Sequence, residues 1–335
     1  MMKALENLKS DDEDLRLYAV EELAQRMDDK MFHLLLDQLK LEQSILVRNN
    51  LVLILENAIS ERKVGGGSTF AKIFSLYLSH NAFLRSSAIQ ILSAGDDVVA
   101  RFLEANFADA NADVRKLILD TLNEIGTPRA MEAVRRALSD SNVNVLITAI
   151  EYLGHAADRK VIHRLLEMLK VERRPMVSMA ILTTVEEVGT EVDIHNALAE
   201  ILPGGDIGQA KGIFFAIAIK LLAKVWSEAQ ILELLESPVL EANLESYSVE
   251  LVDLLTVASQ RFLNFIDHPA ARRALARLLQ APNRSEKMPF IALNLLAHSK
   301  EKQLSSHLDR FFEMEDINAQ DLSRSMLDML QKQAN

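Results

Sequence analysis

One short pattern recurs through the first half of this 335-residue chain at a nearly constant interval. That period constrains the fold more than any other feature. The best copy, ADANADVRKLILDTLNEIG from Ala108 to Gly126, has a polar turn and the pair Val114-Arg115. An apolar stripe at Ile118, Leu122 and Ile125 follows, then a closing glycine. With Arg115 as the reference slot, the equivalents are Arg16, Arg48, Arg85, Leu146 and Val177, at spacings of 32, 37, 30, 31 and 31. The long interval holds the extra segment VGGGST, Val64 to Thr69, and without those six residues it too is 31. A period of this length means stacked supersecondary units that contact mainly their neighbours, not one globular core.

Each unit has room for two helices of about 11 to 14 residues and two short turns. We name the first helix of each unit A and the second, which carries the reference slot, B. The composition agrees: hydrophobic residues are 49% of the chain and aromatics only 5%, a mixture suited to helices packed with small and aliphatic side chains. About ten A/B pairs can be traced, in an all-α, right-handed solenoid of elongated outline. Residues 1–189 form about six regular repeats, and 190–335 form about four divergent ones continuing the same array. The first B helix should run from about Asp11 to Met27, with Ser10 and Glu13 at capping-box spacing. Thr127-Pro128, Ser227 with Gln230, and Asp267-His268-Pro269 mark further helix starts. Gly95, Gly126, Gly154 and Gly189 fall where left-handed helix caps belong. PGGD, Pro203 to Asp206, breaks the chain. The helix after it, Gln209 to Val225, is apolar on more than one face, so it is either buried on several sides or meets a partner. A more polar last helix, near Ile317 to Lys332, reads as a terminal cap.

From Asp11 to Gly189, and best at Ala108 to Gly126, the pattern resembles the HEAT-repeat family, most closely its short PBS-lyase HEAT-like variety. That family places an Asp six residues before an Arg with Val just ahead of the Arg, and Asp109, Val114 and Arg115 match all three. Arg16, Arg48 and Arg85 have Ser10, Glu42 and Ser79 at the acidic slot, and the fifth copy keeps Asp140 but has Leu146. An acid in the turn and an Arg at the start of helix B can link neighbouring repeats through charge-assisted hydrogen bonds. The Asp109–Arg115 pair is the expected instance.

The chain carries little that suggests chemistry. There are no cysteines, hence no disulfides, thiolate catalysis or thiolate-bound zinc. None of the eight histidines forms an i, i+4 pair. GGGST precedes a helix but lacks the lysine and flanking strand of a phosphate loop, and reads as a flexible insertion with Ser68 or Thr69 capping the next helix. No cofactor or metal is implied. The net charge of −11 disfavours nucleic acid, and the acidic N-terminus lacks a signal-peptide pattern, pointing to a cytoplasmic protein without membrane insertion. Acidic residues from Glu228 to Asp253 precede a basic stretch from Arg261 to Arg310, opposite blocks that could dock a partner.

These readings favour a non-catalytic scaffold that binds protein, a basic partner being one that the acidic stretch could steer. The resemblance implies that B helices line the concave groove, and helical spacing then puts Lys116, Asp120, Thr148, Glu151, Met179, Glu186 and Phe215 there, with Phe214 adjacent. Two alternatives come from the resemblance alone: a phycobilin-lyase-like or chaperone protein that binds a tetrapyrrole or a cofactor-bearing partner, and a HEAT-like alkylpurine DNA glycosylase.

Overall fold

The computed structural model describes residues 2–202, 207, 213–238, 248–280 and 295. The segment Pro203 to Asp206, the start of the helix expected from Gln209, and the terminal helix near Ile317 lie outside them. Among the described residues the structure is helical and turn, with no strand. The helices are α1 (Met2–Asn7), α2 (Glu13–Ala24), α3 (Asp29–Leu41), α4 (Ile45–Ser60), α5 (Gly67–Phe74) and α6 (Ala82–Ser93). Then come α7 (Asp97–Phe107), α8 (Ala112–Ile125), α9 (Pro128–Arg136), α10 (Val143–His155), α11 (Ile162–Val171) and α12 (Pro175–Val188). The last are α13 (Glu191–Ile201), α14 (Ile213–Val225), α15 (Glu228–Leu235), α16 (Ser248–Arg261) and α17 (Pro269–Gln280).

The chain forms two compact units, Met1–Val161 and Ile162–Asn335. This division follows tertiary contacts, whereas the sequence boundary at 189 follows the fading of the Val-Arg motif. In the first unit, α2, α4, α6, α8 and α10 pack in succession as a B layer, and α3, α5, α7 and α9 as an A layer. Each B helix also packs on the A helix before it, as α4 does on α3 and α8 on α7. In the second unit the same rule joins α12 to α14 and α14 to α16, with α11 against α13 and α15 against α17. Contacts confined to neighbours in a two-layer stack are the α-solenoid expected from the period.

Local chemistry sets the helix starts. The side chains of Asp28, Ser44, Asn81, Asp96, Asn111, Thr127 and Asn142 each accept a backbone N–H in the first turn of the helix that follows. Ser227 with Gln230 forms the capping box read from the sequence, and Pro128 follows its Thr127 cap. The first B helix is shorter than expected, Glu13 to Ala24, and its cap is Asp12, which accepts from Asp14 and Leu15, rather than Ser10. Of the four glycines expected to be left-handed caps, Gly126 has that conformation at φ 63°, whereas Gly189 ends its helix at φ −68°, Gly154 lies inside α10, and Gly95, after α6, has no positive φ. After α10 the left-handed position is Ala157, at φ 51°.

The insertion is tied rather than flexible. The Asp29 carboxylate at the start of α3 accepts the Thr69 hydroxyl at 2.9 Å and the Gly65 N–H at 3.4 Å. Helix α5 begins one residue after Gly66, whose φ of 109° suits glycine alone, so neither Ser68 nor Thr69 is the cap. Between layers the core is aliphatic: Leu35, Leu36 and Leu39 on α3, Leu51 and Leu55 on α4, Ile118 and Leu122 on α8. Where a hydroxyl enters that core it is satisfied, as where Tyr77 hydrogen-bonds Thr121.

Candidate protein-binding face

The reference arginines have a structural task, and it differs from the expected one. Arg115 does not pair with Asp109, which is exposed. Its guanidinium reaches forward to the next repeat and grips Asp140 with two bonds, Nε to Oδ2 at 2.7 Å and Nη2 to Oδ1 at 2.8 Å. A third bond, Nη1 to the Ala110 carbonyl at 2.8 Å, closes its own turn. Arg16 repeats the arrangement, with Nε and Nη2 on the Glu42 carboxylate at 2.9 and 3.0 Å and Nη1 on the Ser10 carbonyl. Arg48 holds the Glu42 carbonyl and Arg85 the Ser79 carbonyl. Where Ser79 replaces the acid, Arg48 instead lies over the Phe83 ring of the next repeat, 5.2 Å from its centroid. At Glu42 and Asp140 the acidic slot of one repeat thus serves the arginine of the repeat before it.

Glu42 is 3% exposed. Burial works against its charge, but Arg16 and the N–H groups of Ser44 and Gln43 outweigh that cost and hold its carboxyl below the ordinary 4.5. A lowered folded pKa contributes stability that is fully present above 4.5 and lost as pH falls through the folded value. Urea midpoints measured from about pH 6 down to about pH 3 should therefore fall less steeply for Glu42→Gln than for the parent protein. Parallel acid limbs would show that the pair is not linked to folding.

With its arginines turned into the inter-repeat joints, the outward face of the first unit's B layer is acidic. Asp14, Glu21, Asp113, Glu124 and Glu151 are exposed there, and Glu56 and Asp120 are half-buried. Lys116, also half-buried, is the one lysine on these five helices. Polar bonds cross this face between adjacent helices: Asn50 donates to Glu21 at 3.3 Å, Gln90 to Glu56 at 2.7 Å, and the Tyr152 hydroxyl to Asp120 at 2.5 Å. Burial and the neighbouring Asp120 carboxylate push the Tyr152 phenol well above its usual range, so it stays a donor.

The sequence-selected residues divide between the units. Lys116 and Asp120 on α8 and Glu151 on α10 share the acidic face of the first. Thr148 does not join them: it is buried, at 8% exposure. In the second unit, Met179 and Glu186 lie on α12 and Phe214 on α14, all half-buried. Phe215 is 1% exposed and is core, not groove. The apolar excess of α14 goes inward, since Ile217, Ile219, Leu221 and Leu222 are buried as well. Glu186 is engaged by Lys224 of α14, whose ammonium lies 2.5 Å from Oε1. The opposite charge blocks of the second unit also meet internally, Arg273 pairing with Glu236 at 2.5 Å. Most of the basic block lies outside the described residues.

Sequence reasoning missed another feature. On α2 and α4 the exposed face carries Leu15, Tyr18, Leu46 and Leu53. The signal was present, since α4 is apolar nearly all round from Ile45 to Ile54. A separate cavity of about 420 Å³ opens beside the insertion, between Val64, Gly65 and Phe70 and the Gly95–Val99 turn, with Arg62 paired to Asp96 at its rim. Among the described residues no group of three or more His, Asp and Glu side chains is placed to hold a metal ion, and no helix is long and apolar enough to cross a membrane.

The two-layer stack and its joints define a helical-repeat protein, an α-solenoid. Residues 99–186, from α7 into α12, match the family model for HEAT repeats. No curated protein matches the sequence. Among solved structures, the chain is similar to one described as the crystal structure of Kap121p bound to Nup53p. The identity is 12%, the coverage 98% of this chain and 45% of that one, and the TM-score 0.46. This chain therefore spans less than half the length of that protein. It is also similar to a designed armadillo repeat protein, at 16% identity, 56% coverage of this chain and 98% of that one, with a TM-score of 0.25.

Proposed function

We propose that this protein is a non-catalytic scaffold that holds a basic protein partner along the exposed face of its B helices. The observation that supports this most is the division of labour on those helices. Their arginines are consumed in the joints between repeats, while acids on the outward face of α2, α8 and α10 are left to solvent. A field of one sign over a rigid face attracts partners of the other sign and speeds their association at low salt. Such a face favours protein over nucleic acid, whose phosphates it repels. The sequence-selected Lys116, Asp120 and Glu151 belong to this face; Met179, Glu186 and Phe214 are a separate proposal for the second unit.

The test is affinity capture from native lysate with the double charge reversal Glu124→Lys and Glu151→Lys. Arg101→Glu, at an exposed position of the A helix α7, is the control. Unchanged helicity by circular dichroism certifies folding. The B-layer reversal should lose the proteins captured by the parent at low salt, and the A-layer change should keep them. Equal capture by all three proteins would refute the B-layer scaffold.

A further inference from the structure

Tyr18, Leu46 and Leu53 are 61%, 53% and 54% exposed on helices whose other apolar side chains are largely buried. They stand at the outermost positions of α2 and α4. Around α4 the buried residues Val47, Leu51, Val52, Leu55, Ala58 and Ile59 define the inward side, and a turn of 100° per residue puts Leu46 and Leu53 opposite it. On α2 the buried Ala19, Val20 and Leu23 put Tyr18 in the same outward position, with Leu15 beside it. The Asn50–Glu21 bond shows that the two outward rows adjoin. On α6 the positions equivalent to Leu46 and Leu53 are the half-buried Phe83 and the polar Gln90, so among the B helices of the first unit the large exposed apolar side chains lie on two neighbours, α2 and α4.

Charge decides what can cover this patch. Asp14 and Glu21 flank Tyr18, Glu56 follows Leu53, and the acids of α8 and α10 continue the same layer. An anionic lipid surface, nucleic acid, or the same face of a second copy would bring negative charge against negative charge. Leu46 and Leu53 are two helical turns apart, about 10 Å, which matches anchors at i and i+7 of a partner helix. We infer that Tyr18, Leu46 and Leu53 form the docking step for an amphipathic, lysine- or arginine-rich helix of a partner protein. Its apolar stripe covers the three side chains, and its basic flanks meet the surrounding carboxylates. This deepens the scaffold reading and rests on it.

The probe is a fluorescent model helix of leucine and lysine, about 18 residues long, with a leucine–glutamate helix of the same pattern as control. Binding is followed by anisotropy at about 50 mM and about 300 mM salt, where unaided ion pairing is largely screened. The full-length protein should bind the basic helix at least about tenfold more tightly than the acidic one. Tyr18→Ser, Leu46→Ser and Leu53→Ser together, all at exposed positions, should weaken binding by about tenfold or more at the higher salt with helicity unchanged. A photoreactive benzoylphenylalanine in the apolar stripe of the peptide should cross-link to α2 and α4. Undiminished binding by the triple variant, cross-links mapping elsewhere, or no preference for the basic helix would each overturn the docking step. If binding survives the triple change but is lost in the Glu124→Lys, Glu151→Lys protein, the step falls and the scaffold reading stands. The scaffold reading falls by itself only in the lysate capture.

Discussion

Phe215→Ala is expected to destabilise the protein by about 3–5 kcal/mol, the range for deleting a buried aromatic side chain and leaving part of its volume empty. Phe215 is 1% exposed on α14, and α14 packs against α12, α13 and α16 at once, so no single neighbour can collapse into the space. Leu221 and Ile219 on the same helix are also fully buried. The expected result is a large fall in urea midpoint with the secondary structure of the folded state retained. Phe214, half-buried on the same turn, is the comparison. Phe214→Ala should cost less, because part of its surface is already in water. A Phe215→Ala protein as stable as its parent would mean that the ring is not in the core and would restore it as a candidate contact residue.

Arg115→Ala should cost about 3 kcal/mol, the lower end for breaking a buried ion pair by removing one partner. Asp140 is 6% exposed and Arg115 16%, so the abandoned carboxylate cannot be rehydrated freely. Among the described residues the Asn142 N–H, at 2.8 Å, is the hydrogen bond that remains to it. The loss is then comparable to that of Leu122→Ala, a core truncation in the same helix for which about 2–5 kcal/mol is the usual range. Asp109→Ala should lie within about 0.5 kcal/mol of the parent, since this exposed acid takes no part in the joint. Urea melts of the three variants decide between the two partners. If Asp109→Ala is the damaging change and Arg115→Ala is mild, the joint runs within the repeat after all. A double-mutant cycle of Arg115 with Asp140 isolates the pair itself.

The fates of Glu42, Asp109 and Asp140 show what a repeat period can reveal. All three occupy the same sequence slot, six residues before a reference position, and from sequence they are equivalent. In the folded chain Glu42 and Asp140 are buried acceptors of the preceding repeat's arginine, and Asp109 points to water. Periodicity states which residues are alike within a repeat. It does not say whether a long side chain bridges to its own turn or to the turn of the next repeat, because both lie within reach of a guanidinium.

The two apolar helices carry the same lesson. Both α4 and α14 are rich in aliphatic residues on every side, and the sequence singled out α14 as the one with surface to spare. The structure buries α14, which has packed neighbours on several sides, and leaves Leu46 and Leu53 of α4 in solvent, because α2 and α6 flank that row without covering its outward edge.

By itself, the amino-acid sequence determined the helical class, the 31-residue unit, the A and B layers, and many of the helix starts. These follow from local rules: hydrophobic period, capping side chains, and proline at the first turn. Tertiary structure decided which acid each arginine holds, that Thr148 and Phe215 are interior, and that the exposed apolar step sits on the first two B helices. Those outcomes depend on the rotation and spacing of neighbouring helices. Many pairwise packing contacts set these together, and no single repeat encodes them.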